Sequence, residues 1–203
     1  MTRQSKKGIA VMSVGVLLFF MAIALGVYNY YTEYKAGVSS DAIMDNLALE
    51  LPKKETESAE QLPDYIINPG MDLPVKAIDG NEYVGKIEIF SLDLELPVMN
   101  EWSYSNFKIA PCRYEGTPYK DNIIIAAHNY RSHFGALKQL KSGDKISFTD
   151  MNNNVFDYEV IYMEVLDRNA LDDLLAGEWD LTLFTCTPGG QNRVTVRCER
   201  IEK

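Results

Sequence analysis

The longest apolar run is Ile9–Tyr28, IAVMSVGVLLFFMAIALGVY, twenty residues without a charge. That length matches the ~20 residues a helix needs to cross a bilayer core. The run has no polar face for a helix lying on a soluble surface, so it predicts a membrane span. Polar positions then dominate residues 37–80. KKETESAEQ is charged, and Pro52, Pro63, Pro69 and Pro74 interrupt any long element. A helical piece is expected at Asp41–Leu51. From Tyr83 onward the period shortens to two. Gly85–Phe90, Leu94–Val98, Lys145–Thr149, Val155–Met163, Leu181–Thr185 and Arg193–Arg197 read as strands. Asn122–Ala127 (NIIIAA) is apolar almost throughout and rich in β-branched residues, as in a strand buried on both faces. Asp150–Asn154 (DMNNN) is a turn joining two strands into a hairpin. Only Phe134–Leu140 and Ala170–Leu175 read as short helices. Seven or eight short strands separated by turns predict a mainly β domain, a closed or nearly closed barrel.

The flanks of the apolar run orient it. Arg3, Lys6 and Lys7 precede it and Asn29, Tyr30 and Tyr31 follow. Positive charge is retained on the cytoplasmic side and aromatic residues favour the interface. A secretory signal would have a shorter apolar core, ~7–15 residues, with a small-residue cleavage site close behind. The expected order is a cytoplasmic tail 1–8, an uncleaved single span 9–28, a stalk 29–80 and an extracellular domain 81–203.

Composition narrows the chemistry. A net charge of −9 argues against nucleic acid, whose phosphates call for a basic surface. The cysteines are Cys112, Cys186 and Cys198, an odd number, so at least one thiol is unpaired. None stands at C-x-x-C spacing, and with only His128 and His133 beside them they make no zinc pattern.

Two stretches stand out. IIIAAHNYRSHFGALKQL puts His128 at the end of a buried-type strand, and DLTLFTCTPGG puts Cys186 at the end of another. Strand ends lie on a barrel rim, where residues distant in sequence can meet. Thiol catalysis needs such a nucleophile and proton carrier in hydrogen-bond reach. Arg193 opens the next strand after Thr187–Asn192. Its fixed fork of donors suits an oxyanion or a substrate carbonyl. Singly, each residue also has a plain reading: a buried small apolar cysteine, a structural histidine, a solvated arginine.

Together these residues resemble the sortase family. Thr182-Leu183-Phe184-Thr185-Cys186 fits its T-L-x-T-C signature; His128 and Arg193 stand where its catalytic histidine and arginine stand. Val84-Gly85-Lys86-Ile87-Glu88-Ile89 resembles its opening strand, although Phe90-Ser91 replace the usual Ile-Pro. The resemblance covers residues 83–201. It implies an eight-stranded barrel with a few short helices. It also implies a membrane-anchored cysteine transpeptidase on the outer face of a Gram-positive-type cell. Cys186 would attack an LPXTG-like sorting signal, His128 would serve as acid and base, and Arg193 would hold the oxyanion. Thr185 would help to position substrate or serve simply as a β-branched strand residue. The partners implied are surface proteins bearing that signal, and as acceptor a peptidoglycan-precursor amine or a pilin lysine. No cofactor is implied; calcium use differs among members, and no acidic cluster stands out here. TCTPGG and VRCERI resemble class C and HFGALKQL resembles class B, which makes the chain class D-like or unassigned. His133 starts a short helix and is given no role. Cys112 and Cys198 are read as unpaired, although an oxidising exterior would permit a bridge. Two other readings share these residues: a cysteine peptidase acting on surface peptides, and an inert membrane-tethered barrel.

Overall fold

The computed structural model describes residues 3–50, 62–177 and 179–201; the charged segment KKETESAEQ and Pro52 lie outside the described residues. The chain divides into two compact units, residues 1–35 and 36–203. The first unit is helical. Helix α1 is assigned over Arg3–Glu50, and its apolar run 9–28 is exposed along its whole length. It is long and apolar enough to cross a membrane.

In the second unit nine strands form one sheet. They are β1 (Lys76–Ile78), β2 (Asn81–Ile89), β3 (Leu94–Met99), β4 (Cys112–Glu115), β5 (Ile123–Ala126), β6 (Lys145–Asp150), β7 (Val155–Asp167), β8 (Leu181–Cys186) and β9 (Asn192–Arg200). The order is β1-β2-β3-β4-β5-β8-β9-β7-β6, and a further pairing of β2 with β6 closes eight of them into a barrel. The expected architecture is therefore found, with β1 added as a ninth strand outside the closed ring. β1 turns into β2 through Asp79 and Gly80, both at positive φ, which fits a two-residue hairpin.

Closure depends on Gly85. Here β2 pairs with β3 on one side and β6 on the other, next to a register irregularity between Tyr83 and Gly85. A Cβ at Gly85 would lie 2.1 Å from the Thr149 carbonyl oxygen, so only glycine allows the two backbones so close.

Alternation along the strands sorts side chains into two apolar clusters. Ile123 and Ile125 of β5 point inward with Leu181 and Leu183 of β8, and join Ile87, Phe148, Phe156 and Tyr158 in the barrel core. Ile124, Ala126 and Phe184 point outward into a second cluster with Phe107, Cys112 and Met99. This is why NIIIAA is apolar on both faces.

The second cluster also includes Ile43 and Leu47 from the end of α1. Ala36, Ser40, Ile43 and Leu47 recur at spacings of four, three and four and are all buried, which makes one face of a helix. Nearer the barrel, helix α2 (Asp64–Ile67) carries Tyr65, which stacks on Tyr119 at 4.9 Å, and Leu73 enters the core. Much of the described part of the stretch read as a stalk thus packs in the second unit, because apolar residues punctuate its polar sequence. The short helices fall close to where they were expected, as a 3-10 helix at Phe134–Gln139 and α3 at Leu171–Leu175.

Candidate active site

Three neighbouring strands carry the three residues singled out above. β5 and β8 run parallel with Ala126 opposite Phe184. One step on, the Ala127 amide donates to the Phe184 carbonyl at 3.2 Å. His128 and Cys186 therefore leave their strands at the same rim, one position further. β9 runs antiparallel to β8, and Cys186 lies directly opposite Arg193. Adjacent strands are about 4.8 Å apart, so the row His128, Cys186, Arg193 spans roughly 10 Å of rim.

The turn between Cys186 and Arg193 is tight. Thr187 donates its amide to the Asn192 carbonyl at 2.8 Å, and Gly190 donates to Thr187 at 2.8 Å. The Thr187 hydroxyl oxygen also accepts from the Asn192 amide at 3.1 Å. Gly189 and Gly190 supply the positive φ this path requires. The turn thus fixes the register between cysteine and arginine.

Cys186 is a free, half-buried thiol. The Arg193 guanidinium lies 5.7 Å over the Phe184 ring, and its Nη1 is buried without a hydrogen-bond partner among the described residues. A buried donor with no acceptor is costly; it belongs to the residue in direct register with Cys186, and a carbonyl oxygen or oxyanion reaching it would satisfy it.

Two rings pack close to His128, Phe107 at 4.3 Å and Tyr130 at 4.7 Å. Burial and, secondarily, nearby Lys108 hold its pKa below the ordinary histidine value. Aromatic contacts continue outward: Phe107 and Tyr114 each meet Trp102, and Tyr114 meets Phe184 edge-on at 5.4 Å. A run of rings therefore connects the histidine end of the row with the arginine end.

Thr185, expected beside the substrate, is 3% exposed and lies on the face of β8 opposite Cys186. Its hydroxyl donates to the Ala127 carbonyl at 2.8 Å. Its place is between two strand ends, away from the surface that Cys186 faces. His133 precedes the short helix as expected but is fully buried, with Nε2 3.3 Å from Ser40 Oγ. Cys112 and Cys198 are free and buried; burial pushes the Cys112 thiol up to about 12 and the Cys198 thiol up as well. Among the described residues no group of three or more His, Cys, Asp or Glu side chains is arranged to hold a metal ion. Phe107, Lys108 and Tyr130 were not anticipated. Tyr130, two residues past His128, was the only one with a nearby sequence signal.

A family model described as the sortase domain matches residues 87–201, more than half of the chain, and the chain belongs to the sortase family of cysteine transpeptidases. It is 26% identical to Sortase A of Bacillus anthracis over 181 residues, covering 85% of each chain. The crystal structure of sortase C1 from Streptococcus agalactiae matches with a TM-score of 0.56 and 25% identity, covering 72% of this chain and 80% of that one. Sortase C1 of GBS Pilus Island 1 matches in fold, with a TM-score of 0.53 and 22% identity; 60% of this chain covers 65% of that one.

Proposed function

We propose that this chain is a membrane-anchored sortase that cleaves an LPXTG-like sorting signal and transfers the protein to an amine of the cell wall or to a pilin lysine. The observation that carries the reading is the row of His128, Cys186 and Arg193 on adjacent strands, with cysteine and arginine in direct register.

The Cys186 thiolate attacks the threonine carbonyl carbon of the signal. The resulting oxyanion accepts from the unpartnered Arg193 Nη1. Imidazolium at His128 gives its proton to the departing amine as the C–N bond breaks, leaving a thioester. An incoming amine attacks that thioester and loses its proton to His128. The new amide forms and the thiolate leaves. The exposed Trp102 ring and the half-buried Tyr114 ring offer a surface for the leucine and proline of the signal, since proline-containing segments dock well on aromatic side chains.

Burial and Lys108 hold His128 below its usual value, which disfavours the imidazolium that the first step needs. Turnover is accordingly slow. Anchoring both enzyme and substrate in one membrane compensates by raising their effective concentration. The exposed apolar run of α1 supports that anchor, and Arg3, Lys6 and Lys7 before it support a cytoplasmic N-terminus with the barrel outside.

The test is the full chain in detergent with LPXTG-like peptides and oligoglycine, diaminopimelate-type or lysine acceptors, read by mass spectrometry. The expected product contains peptide joined to amine and disappears in Cys186→Ala. Cleavage indifferent to every amine would make the protein a peptidase. An unreactive Cys186 with no cleavage would make it an inert barrel.

A further inference from the structure

The Ser40 hydroxyl joins two segments that enclose His128. It donates to the Ile109 carbonyl at 3.3 Å, and its oxygen lies 3.3 Å from His133 Nε2. A hydroxyl has one hydrogen, so with Ile109 as its acceptor it receives the second bond from the imidazole. His133 is thereby held as the Nε2–H tautomer. Its Nδ1 is left bare, buried and without a partner among the described residues. The chain His133 Nε2–H, Ser40 Oγ–H, Ile109 O spans three separate stretches of sequence.

Two of those stretches form the walls around His128. Phe107 and Lys108 immediately precede Ile109, and the Phe107 ring lies 4.3 Å from the His128 ring. Tyr130, on the loop that ends at His133, lies 4.7 Å from His128 and 5.6 Å from His133. The third stretch is the helical face Ala36, Ser40, Ile43, Leu47, all buried. Gly37 comes so close to the loop that a Cβ there would meet Ser132 Cβ at 3.2 Å.

We propose that Ser40 and His133 are positioning residues that pin the two walls of the His128 site together, making the helical segment Ala36–Leu47 a working part of the catalytic domain. This rests on the sortase reading for its effect on turnover, but the clamp itself is a property of His128's surroundings. With the bond chain intact, Phe107 and Tyr130 hold one orientation of the imidazole and limit its contact with water, leaving it half-buried. Without it the walls separate, water reaches the ring, and the proton carrier loses its fixed direction toward the leaving amine. The titratable or charged groups around His128 include Lys108 on one wall, Tyr130 and His133 on its own loop and, by strand register, Cys186 one strand away. The helical residues buried at this contact, Ala36, Ser40, Ile43 and Leu47, are uncharged.

The chain has two histidines, so imidazole NMR on the full chain follows both and His133→Gln assigns them. Ser40→Ala is expected to lower kcat for peptide transfer about tenfold with KM nearly unchanged. The His128 midpoint should rise by about half a unit as the ring is rehydrated. Ser40→Thr keeps the hydroxyl and is expected to restore both. His133→Gln keeps an N–H near the Nε2 position and retains most of kcat, whereas His133→Ala behaves like Ser40→Ala. A wild-type His128 midpoint in folded Ser40→Ala overturns the proposal, whether or not kcat falls. If the wild-type chain transfers no peptide, the sortase reading fails; the His128 midpoint in Ser40→Ala still decides the clamp.

Discussion

The Thr185 hydroxyl donates to the Ala127 carbonyl at 2.8 Å, joining the residue before Cys186 to the residue before His128. The bond is buried and crosses a parallel strand pair, so it sets how far β8 is displaced along β5. Thr185→Val keeps the branched shape but removes the donor. It should cost about 1–2 kcal/mol of stability, the usual effect of losing a buried partner. It should also lower kcat by about 10- to 100-fold through misplacement of the thiol. Thr185→Ser, which retains the hydroxyl, should recover most of kcat. Equal loss in both variants, read by peptide transfer and thermal unfolding, would mean the methyl group matters and the hydrogen bond does not.

Arg193 holds Nη1 buried and unpaired among the described residues while its charge rests over Phe184. A donor waiting for an oxyanion contributes chiefly in the transition state. Arg193→Ala should lower kcat/KM by about 10²–10³, near the loss of one oxyanion-hole donor. Arg193→Lys should recover little, because a point charge lacks the guanidinium fork. Both variants should still be labelled at Cys186 by a thiol reagent. A near-wild-type Arg193→Lys would show that charge alone suffices.

Much of the barrel was legible because burial leaves a period in the sequence. NIIIAA reports two buried faces, and β8 shows T-L-x-T-C at its end. The row of His128, Cys186 and Arg193 drew its force from family resemblance, since no single residue distinguishes a catalytic side chain from a structural one. β1 and β4 were missed because three or four residues carry too little alternation. The face Ala36, Ser40, Ile43, Leu47 was missed because alanine and serine dilute its apolar pattern. Thr185 and His133 owe their places to partners 58 and 93 residues away, and local sequence holds no trace of such distances.

His133 makes the fold sensitive to acid. Burial and, to a lesser degree, His128 lower its pKa from 6.5 to about 4. Between those values the unfolded chain binds more protons at this residue than the folded one. Stability therefore rises with pH across this window and is lost as pH falls from 6.5 toward 4. The full shift corresponds to about 3 kcal/mol. His133→Gln removes the titrating group, so its unfolding free energy should fall less steeply than wild type over that range in urea titrations. Parallel profiles would show that His133 is protonated as readily in the folded chain as in the unfolded one.

The three cysteines should separate by rate. Thiolate, not thiol, reacts with alkylating reagents. Burial pushes Cys112 up to about 12 and Cys198 up as well, whereas Cys186 stands half-buried at the rim. Native protein at pH 7.5 should therefore take up a single iodoacetamide label, mapped by peptide mass to Cys186. All three should be labelled once urea unfolds the barrel. Labelling of native Cys186 should slow in Thr185→Val if the strand ends shift, and should be unaffected by Cys198→Ala, whose side chain lies in the barrel core. Rapid native labelling of Cys112 would mean that the outer cluster around Phe107 and Ile124 opens in solution.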